Sequence, residues 1–133
     1  MQEFALDNRL VSLPDADHRF PRIFSLVEDA PHIRMQVDVS QDLCWFRGHF
    51  PKQPVLPGIV QLHWAVIIVQ ACFGFSAVPT EIKRLKFKKV VTPPHIFELS
   101  VSRKSGNEAQ FEYHTGSEQN SEGRLVFAET APC

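Results

Sequence analysis

The chain has 133 residues, 44% hydrophobic and 22% charged, with 14 Lys and Arg against 15 Asp and Glu for a formal net charge of −1. This describes one compact domain that buries roughly two-thirds of its unfolded surface, and it excludes a disordered chain, a collagen and a polybasic nucleic-acid binder. Three cysteines, Cys44, Cys72 and Cys133, are widely spaced with no CxxC pair, so neither a disulfide framework nor a metal site is expected, and a reducing cytoplasm is the expected compartment.

The segment MQEFALDNRL has neither the basic nor the apolar region of a secretory signal, so no export or membrane insertion is expected. Residues 1–133 read as a single domain in which 1–18 form a lead-in closed by the turn Pro14-Asp15-Ala16-Asp17. Ile23 to Val27 predicts a strand that breaks at Asp29-Ala30-Pro31. Strict alternation of Ile33, Met35, Val37 and Val39 then completes a hairpin with one buried face. Trp45 to Pro57 is a proline-stiffened loop, because prolines at 51, 54 and 57 exclude a helix interior.

Ile59 to Phe73 is apolar on nearly every side and bounded by Pro57-Gly58 and Gly74, which predicts a helix buried all round. Ile82 to Val91 predicts a strand stopping at Pro93-Pro94, and Phe97, Leu99 and Val101 alternate up to Ser105-Gly106-Asn107. Phe111 and Tyr113 follow, then a polar turn from Gly116 to Gly123, and Leu125 to Ala128 closes the set. Short turns between consecutive strands imply antiparallel pairing. The expected class is therefore α+β, with one sheet of about five or six strands on one long central helix.

The chemistry is concentrated in FRGHFPKQPVLPGIVQLHWA, Phe46 to Ala65. Here His49 sits in a stiff loop that runs into a helix N-terminus, where the Gly58 amide is a first-turn donor reinforced by the helix dipole and open to close approach. Such a donor stabilises an oxyanion or enolate, and His49 has the titration range of a general base. A second histidine, His63, follows inside the helix. Two readings stand for it, a working group and a histidine satisfied by Gln61, Gln70 or a backbone carbonyl.

At these residues the chain resembles the β-hydroxyacyl-ACP dehydratases, whose motif runs approximately GHFPxxPVMPGxxxxEA. Gly48-His49-Phe50-Pro51, Pro54-Val55-Leu56-Pro57-Gly58 and the following helix match it in residue type and spacing. The continuation Val60-Gln61-Leu62 to Trp64-Ala65 looks more like the aryl-polyene, hydroxymyristoyl-ACP dehydratase-like branch than the housekeeping enzymes of fatty-acid biosynthesis. The resemblance implies a hotdog fold, an antiparallel sheet wrapped around the helix, and a homodimer with two shared active sites. It implies His49 as general base, Gly58 as donor to the thioester carbonyl, and the Val55 carbonyl as the group that orients the imidazole. The substrate is expected on the phosphopantetheine of acyl carrier protein, with no metal or redox cofactor.

Position 63 departs from the family, which has Asp or Glu there. Either His63 acts as acid or positioning group across the dimer interface, or the chain is a subunit that forms a heterodimer with a hotdog partner bearing the carboxylate. A hotdog thioesterase is the remaining rival, less favoured because the GHFP-to-PVLPG loop belongs to dehydratases. Arg84, Lys86 and Lys88 fall on one face of a strand under strict alternation, either as a solvated edge or as a dock for the acidic carrier protein. Cys44 and Cys72 read as packed thiols. Trp45, Phe46, Trp64 and Phe73 read as core aromatics, some of them facing an acyl tunnel.

Overall fold

The computed structural model describes residues 20–40, 55–93 and 95–128, and the backbone of 2–4. Among these it contains one helix, α1 (Gly58–Phe73), and seven strands: β1 (Gln2–Phe4), β2 (Arg22–Asp29), β3 (His32–Val39), β4 (Pro79–Phe87), β5 (His95–Ser105), β6 (Glu108–Thr115) and β7 (Glu118–Phe127). The strands form one antiparallel sheet in the order β1-β2-β3-β5-β6-β7-β4. Six strands and the helix are the expected architecture. The seventh, β1, is a three-residue edge strand within the lead-in segment that pairs Gln2–Phe4 with Glu28, Val27 and Leu26.

Period-two patterning builds the centre of the sheet. Ile33, Met35, Val37 and Val39 of β3, Phe97, Leu99 and Val101 of β5, and Ala109, Phe111 and Tyr113 of β6 are all buried on one face. The helix contributes Trp64, Ala65, Ile68 and Val69 to the same core, and Phe97 stacks on Tyr113 with ring centroids 4.7 Å apart. Burying each large side chain contributes on the order of 1.5–3 kcal/mol, which outweighs the poor helix propensity of the β-branched residues in α1. Gly74 ends the helix as expected, in the left-handed region at φ 76°, with its amide donating to the Gln70 carbonyl at 2.9 Å.

Three expectations are corrected. The polar stretch after Gly116 is strand, not turn: only residues 116 and 117 turn, and β7 begins at Glu118. Its inward positions are Ser121, Gly123, Leu125 and Phe127, all buried, and the first two lack apolar bulk for a reason of packing. Ser121 bonds to α1, and a Cβ on Gly123 would stand 2.7 Å from Cε2 of Phe111.

The helix is not buried all round. Ile59 is 69% exposed, His63 is exposed, and Val66, Ile67 and Gln70 are only partly covered. An apolar helix with one uncovered side is what a chain shows when its sheet covers the other.

Finally, β4 ends at Phe87 rather than running to Val91, and among the described residues it is an edge strand exposed along both faces and paired only with β7. A bulge interrupts that pairing. Lys83 lies opposite Arg124 and Lys86 opposite Glu122, so Arg84 and Leu85 together face the single residue Gly123. Arg84 takes up the extra residue at φ 53°. Because Arg124 and Glu122 are two apart on β7, Lys83 and Lys86 share a face, and Arg84 leaves the face that strict alternation gave it.

Candidate active site

The site is organised by the turn that opens α1. Leu56 is buried and its amide donates to the Val91 carbonyl at 2.8 Å, which ties the turn to the segment beyond β4. Pro57 is extended, at φ −61° and ψ 144°, and its carbonyl accepts the amides of Val60 at 3.0 Å and Gln61 at 3.3 Å. The amides of Gly58 and Ile59 precede the first bonded donor, Val60, and have no intrahelical partner. No acidic residue lies in the first turn, so no side chain of that turn neutralises the positive end of the helix dipole.

Val55, Leu56, Pro57, Gly58 and Gln61 form one side of a cleft of about 270 Å³, and residues 87–90 form the other. Phe87 lies directly against Gly58: a Cβ there would stand 2.9 Å from its Cε1 and Cζ atoms. Glycine at 58 permits this close approach, and a larger residue would have to displace the Phe87 ring. The far wall is fixed through its backbone, because the Asn120 carbonyl accepts the amides of Lys88 at 2.7 Å and Lys89 at 3.2 Å. Asn120 in turn accepts from Thr115 Oγ1 at 2.8 Å, and Thr115 pairs with His95 Nε2, also at 2.8 Å. Burial lowers the pKa of His95.

Gln61 forms a polar floor. It is 3% exposed, its Oε1 accepts from Ser121 Oγ at 2.8 Å, and its backbone carbonyl accepts from the Tyr113 hydroxyl at 2.7 Å. Full burial raises the pKa of Tyr113, which keeps the phenol a donor.

Of the residues singled out from sequence, Val55 and Gly58 meet in this cleft. His49 lies outside the described residues, as do Gly48, Phe50, Pro51, Pro54, Cys44, Trp45 and Phe46. His63 does not line the cleft. It follows Gln61 by two residues, about 200° around the helix, and is exposed on the opposite side of α1 with Ile59. Lys88 lines the cleft, but its ammonium pairs with Glu122 at 3.2 Å and also donates to Gln119, so its charge is partly neutralised. Lys86 and Arg84 are exposed on β4, and Lys89 pairs with Glu118 at 3.6 Å. Cys72 and Trp64 are buried, and Phe73 is half-buried. Gln70 donates to the Ala77 carbonyl at 2.8 Å.

Gln61 and Phe87 are the site residues that sequence reasoning missed. Gln61 carried a signal, as one of the few polar residues in an apolar helix. Phe87 carried none, because its role comes from β4 passing the start of α1.

Residues 26–124 match the family model described as ApeI-like, ApeI dehydratase. The chain belongs to the ApeI-like dehydratase family. Among solved structures, the ApeI:P dehydratase heterocomplex from Xenorhabdus doucetiae is 26% identical with a TM-score of 0.72, covering 80% of this chain and 96% of that one. A 3-hydroxyacyl-[acyl-carrier-protein] dehydratase FabZ from Natranaerobius thermophilus is 29% identical over 127 residues, 84% of this chain and 89% of the relative. The dehydratase domain of a mycocerosic acid synthase-like polyketide synthase shares the fold at 21% identity and a TM-score of 0.64, covering 86% of this chain and 42% of that one. The fold of this ApeI-like chain is thus the hotdog fold of dehydratases. Among its described residues, no helix is long and apolar enough to cross a membrane.

Proposed function

We propose that the cleft at the start of α1 receives the carbonyl of a 3-hydroxyacyl thioester carried on the phosphopantetheine of acyl carrier protein, and that water is eliminated there to give a trans-2-enoyl thioester. The observation that carries this reading is the Gly58 amide, a helix N-terminal donor lining a cleft in which the Phe87 ring packs directly against the glycine. Family membership supports the same chemistry. The imidazole of His49 takes the α-proton, and the electron pair moves onto the thioester oxygen, which the Gly58 N–H and the dipole of α1 stabilise. As the pair returns to form the Cα=Cβ bond, the Cβ–O bond breaks, and a protonated His63 from a second subunit supplies the proton that lets hydroxide depart as water. The Val55 carbonyl sets the His49 tautomer. The scheme uses no metal or redox cofactor.

The second subunit would cover the exposed side of α1 and the open edge of β4, which carries the exposed apolar residues Ile82, Leu85 and Phe87. A second copy of this chain makes two His49–His63 sites. Pairing with a different hotdog chain is the second reading, favoured by histidine at position 63 and by the heterocomplex of the ApeI relative. The carrier protein would meet the cationic face of Lys83 and Lys86, with Lys88 at the cleft and Arg84 beside them. A cytoplasmic site of action suits the buried thiol of Cys72.

The test is mass spectrometry of 3-hydroxyacyl-ACP substrates incubated with the full chain. Loss of one water, abolished by His49→Ala while the oligomer persists, is the expected result. Undiminished turnover in His49→Ala refutes the assignment, and free acid with free thiol would mark a thioesterase instead.

A further inference from the structure

We propose that the side-chain amide of Gln61 is a second donor to the substrate oxygen, acting beside the Gly58 amide; the inference rests on the dehydratase reading of this cleft. A glutamine buried to 3% exposure in an otherwise apolar helix is costly unless its polar atoms have work. One end is accounted for, since Oε1 accepts from Ser121 Oγ at 2.8 Å. The other end, Nε2, carries two protons and can only donate. It belongs to a residue that lines the same cleft as Gly58.

Geometry brings the two donors together. Gln61 is three residues beyond Gly58, one turn further along the same face of the same cleft, and the general lean of helix side chains toward the N-terminus favours an amide directed back toward the first turn. The residue is also held from two strands. Tyr113 of β6 fixes its backbone carbonyl at 2.7 Å, and Ser121 of β7 fixes its side-chain oxygen. A donor fixed before the reaction begins needs no reorganisation as negative charge develops on the thioester oxygen. A single backbone N–H leaves part of that oxygen's acceptor capacity unmet, and Gln61 supplies the remainder. Its hydrogen bond is present to the ground-state carbonyl and strengthens as charge develops toward the enolate, so its removal lowers kcat more than it raises KM.

The decisive variant is Gln61→Glu. It keeps an oxygen for Ser121 to donate to, so the buried bond persists, while the two amide protons disappear; assayed above the pKa that burial raises for the new carboxyl, it offers no donor in their place. Gln61→Met, which matches the side chain in length without any donor, is the second variant. Both are made in the full chain, confirmed folded by thermal unfolding, and assayed for dehydration of a 3-hydroxyacyl thioester. The expected result is a kcat lower by about 100-fold with KM changed less than about threefold, the usual cost of one oxyanion donor. Infrared spectroscopy of a bound enoyl thioester labelled with ¹³C at the carbonyl gives a reading independent of turnover. The wild type lowers the C=O stretch, and Gln61→Glu loses part of that shift. If the wild type dehydrates and polarises the carbonyl but folded variants match it on both measures, Gln61 has no such role and the dehydratase reading stands. If the wild type neither turns over nor polarises the thioester, the reading of the cleft fails and this inference falls with it.

Discussion

Replacing Gly58 with alanine separates the fold from the chemistry. The added methyl would lie 2.9 Å from Cε1 and Cζ and 3.0 Å from Cδ1 of Phe87. That is well inside the ~3.5–4.0 Å of an ordinary carbon contact, so one group must move. Phe87 is 46% exposed on an edge strand, and its ring can swing outward at the loss of some packing. Alanine offsets that loss, because it is favoured over glycine in a helix by up to about 1 kcal/mol. The net change in stability should stay within about 1 kcal/mol, a shift of roughly 4 °C in Tm for a domain of this size. Activity should suffer far more. The methyl covers the approach to the Gly58 amide, and loss of an oxyanion donor costs about 100-fold, near 2.7 kcal/mol. Thermal unfolding and dehydration kinetics on the same preparation decide the matter. A Gly58→Ala protein with kcat/KM within about threefold of wild type would refute the role of this amide.

Gly123→Ala should behave in the opposite way: its Cβ would meet Phe111 at 2.7 Å, and Phe111 is fully buried, so overpacking should cost about 2 kcal/mol and appear as a lower Tm. An unchanged midpoint would contradict the packing account. Burial lowers the pKa of His95 in the folded state, so the unfolded chain binds more protons as pH falls below the ordinary histidine value of 6.5. His95 stabilisation is therefore full above that value and is lost as pH falls through the folded pKa; His95→Gln should flatten the acid limb of stability against pH, and parallel curves would sink the argument. Lys83→Glu with Lys86→Glu should weaken carrier-protein binding at low salt and lose its effect at high salt, while small pantetheine thioesters react as before. Equal affinities at all ionic strengths would remove the dock.

The strands most legible in the sequence are those whose inward positions are all apolar. Ile33, Met35, Val37 and Val39 announce β3, whereas the first half of β7 reads as a turn because Ser121 and Gly123 occupy its inward positions. Their small size answers to Gln61 and Phe111, partners distant in sequence, so no local pattern reveals it. The bulge at Arg84 is invisible for a related reason: alternation on β4 breaks only relative to β7. At the site, glycine and proline spacing exposed the start of α1, since backbone geometry is written in those residues. The meeting of Phe87 with Gly58, and of Ser121 with Gln61, depends on which strand passes which turn.

The uncovered side of α1 ties these observations to position 63. Gln61 and His63 are two residues apart, which in a helix places them on opposite sides, and the structure puts the first in the cleft and the second in the open. One helix thus presents two faces, Gly58 and Gln61 toward its own cleft and His63 with Ile59 on the exposed side. The apolar residues on both sides of α1 fit the proposed dimer, in which its own sheet covers one side and a second hotdog chain the other. A substitution at His63 is therefore expected to act in the neighbouring chain's site, whereas one at Gly58 acts in its own. Dimers that mix a Gly58→Ala chain with a His63→Ala chain should then concentrate both lesions in one site and leave the other intact, and activity in the mixture above that of either parent is the signature of a site shared between two chains.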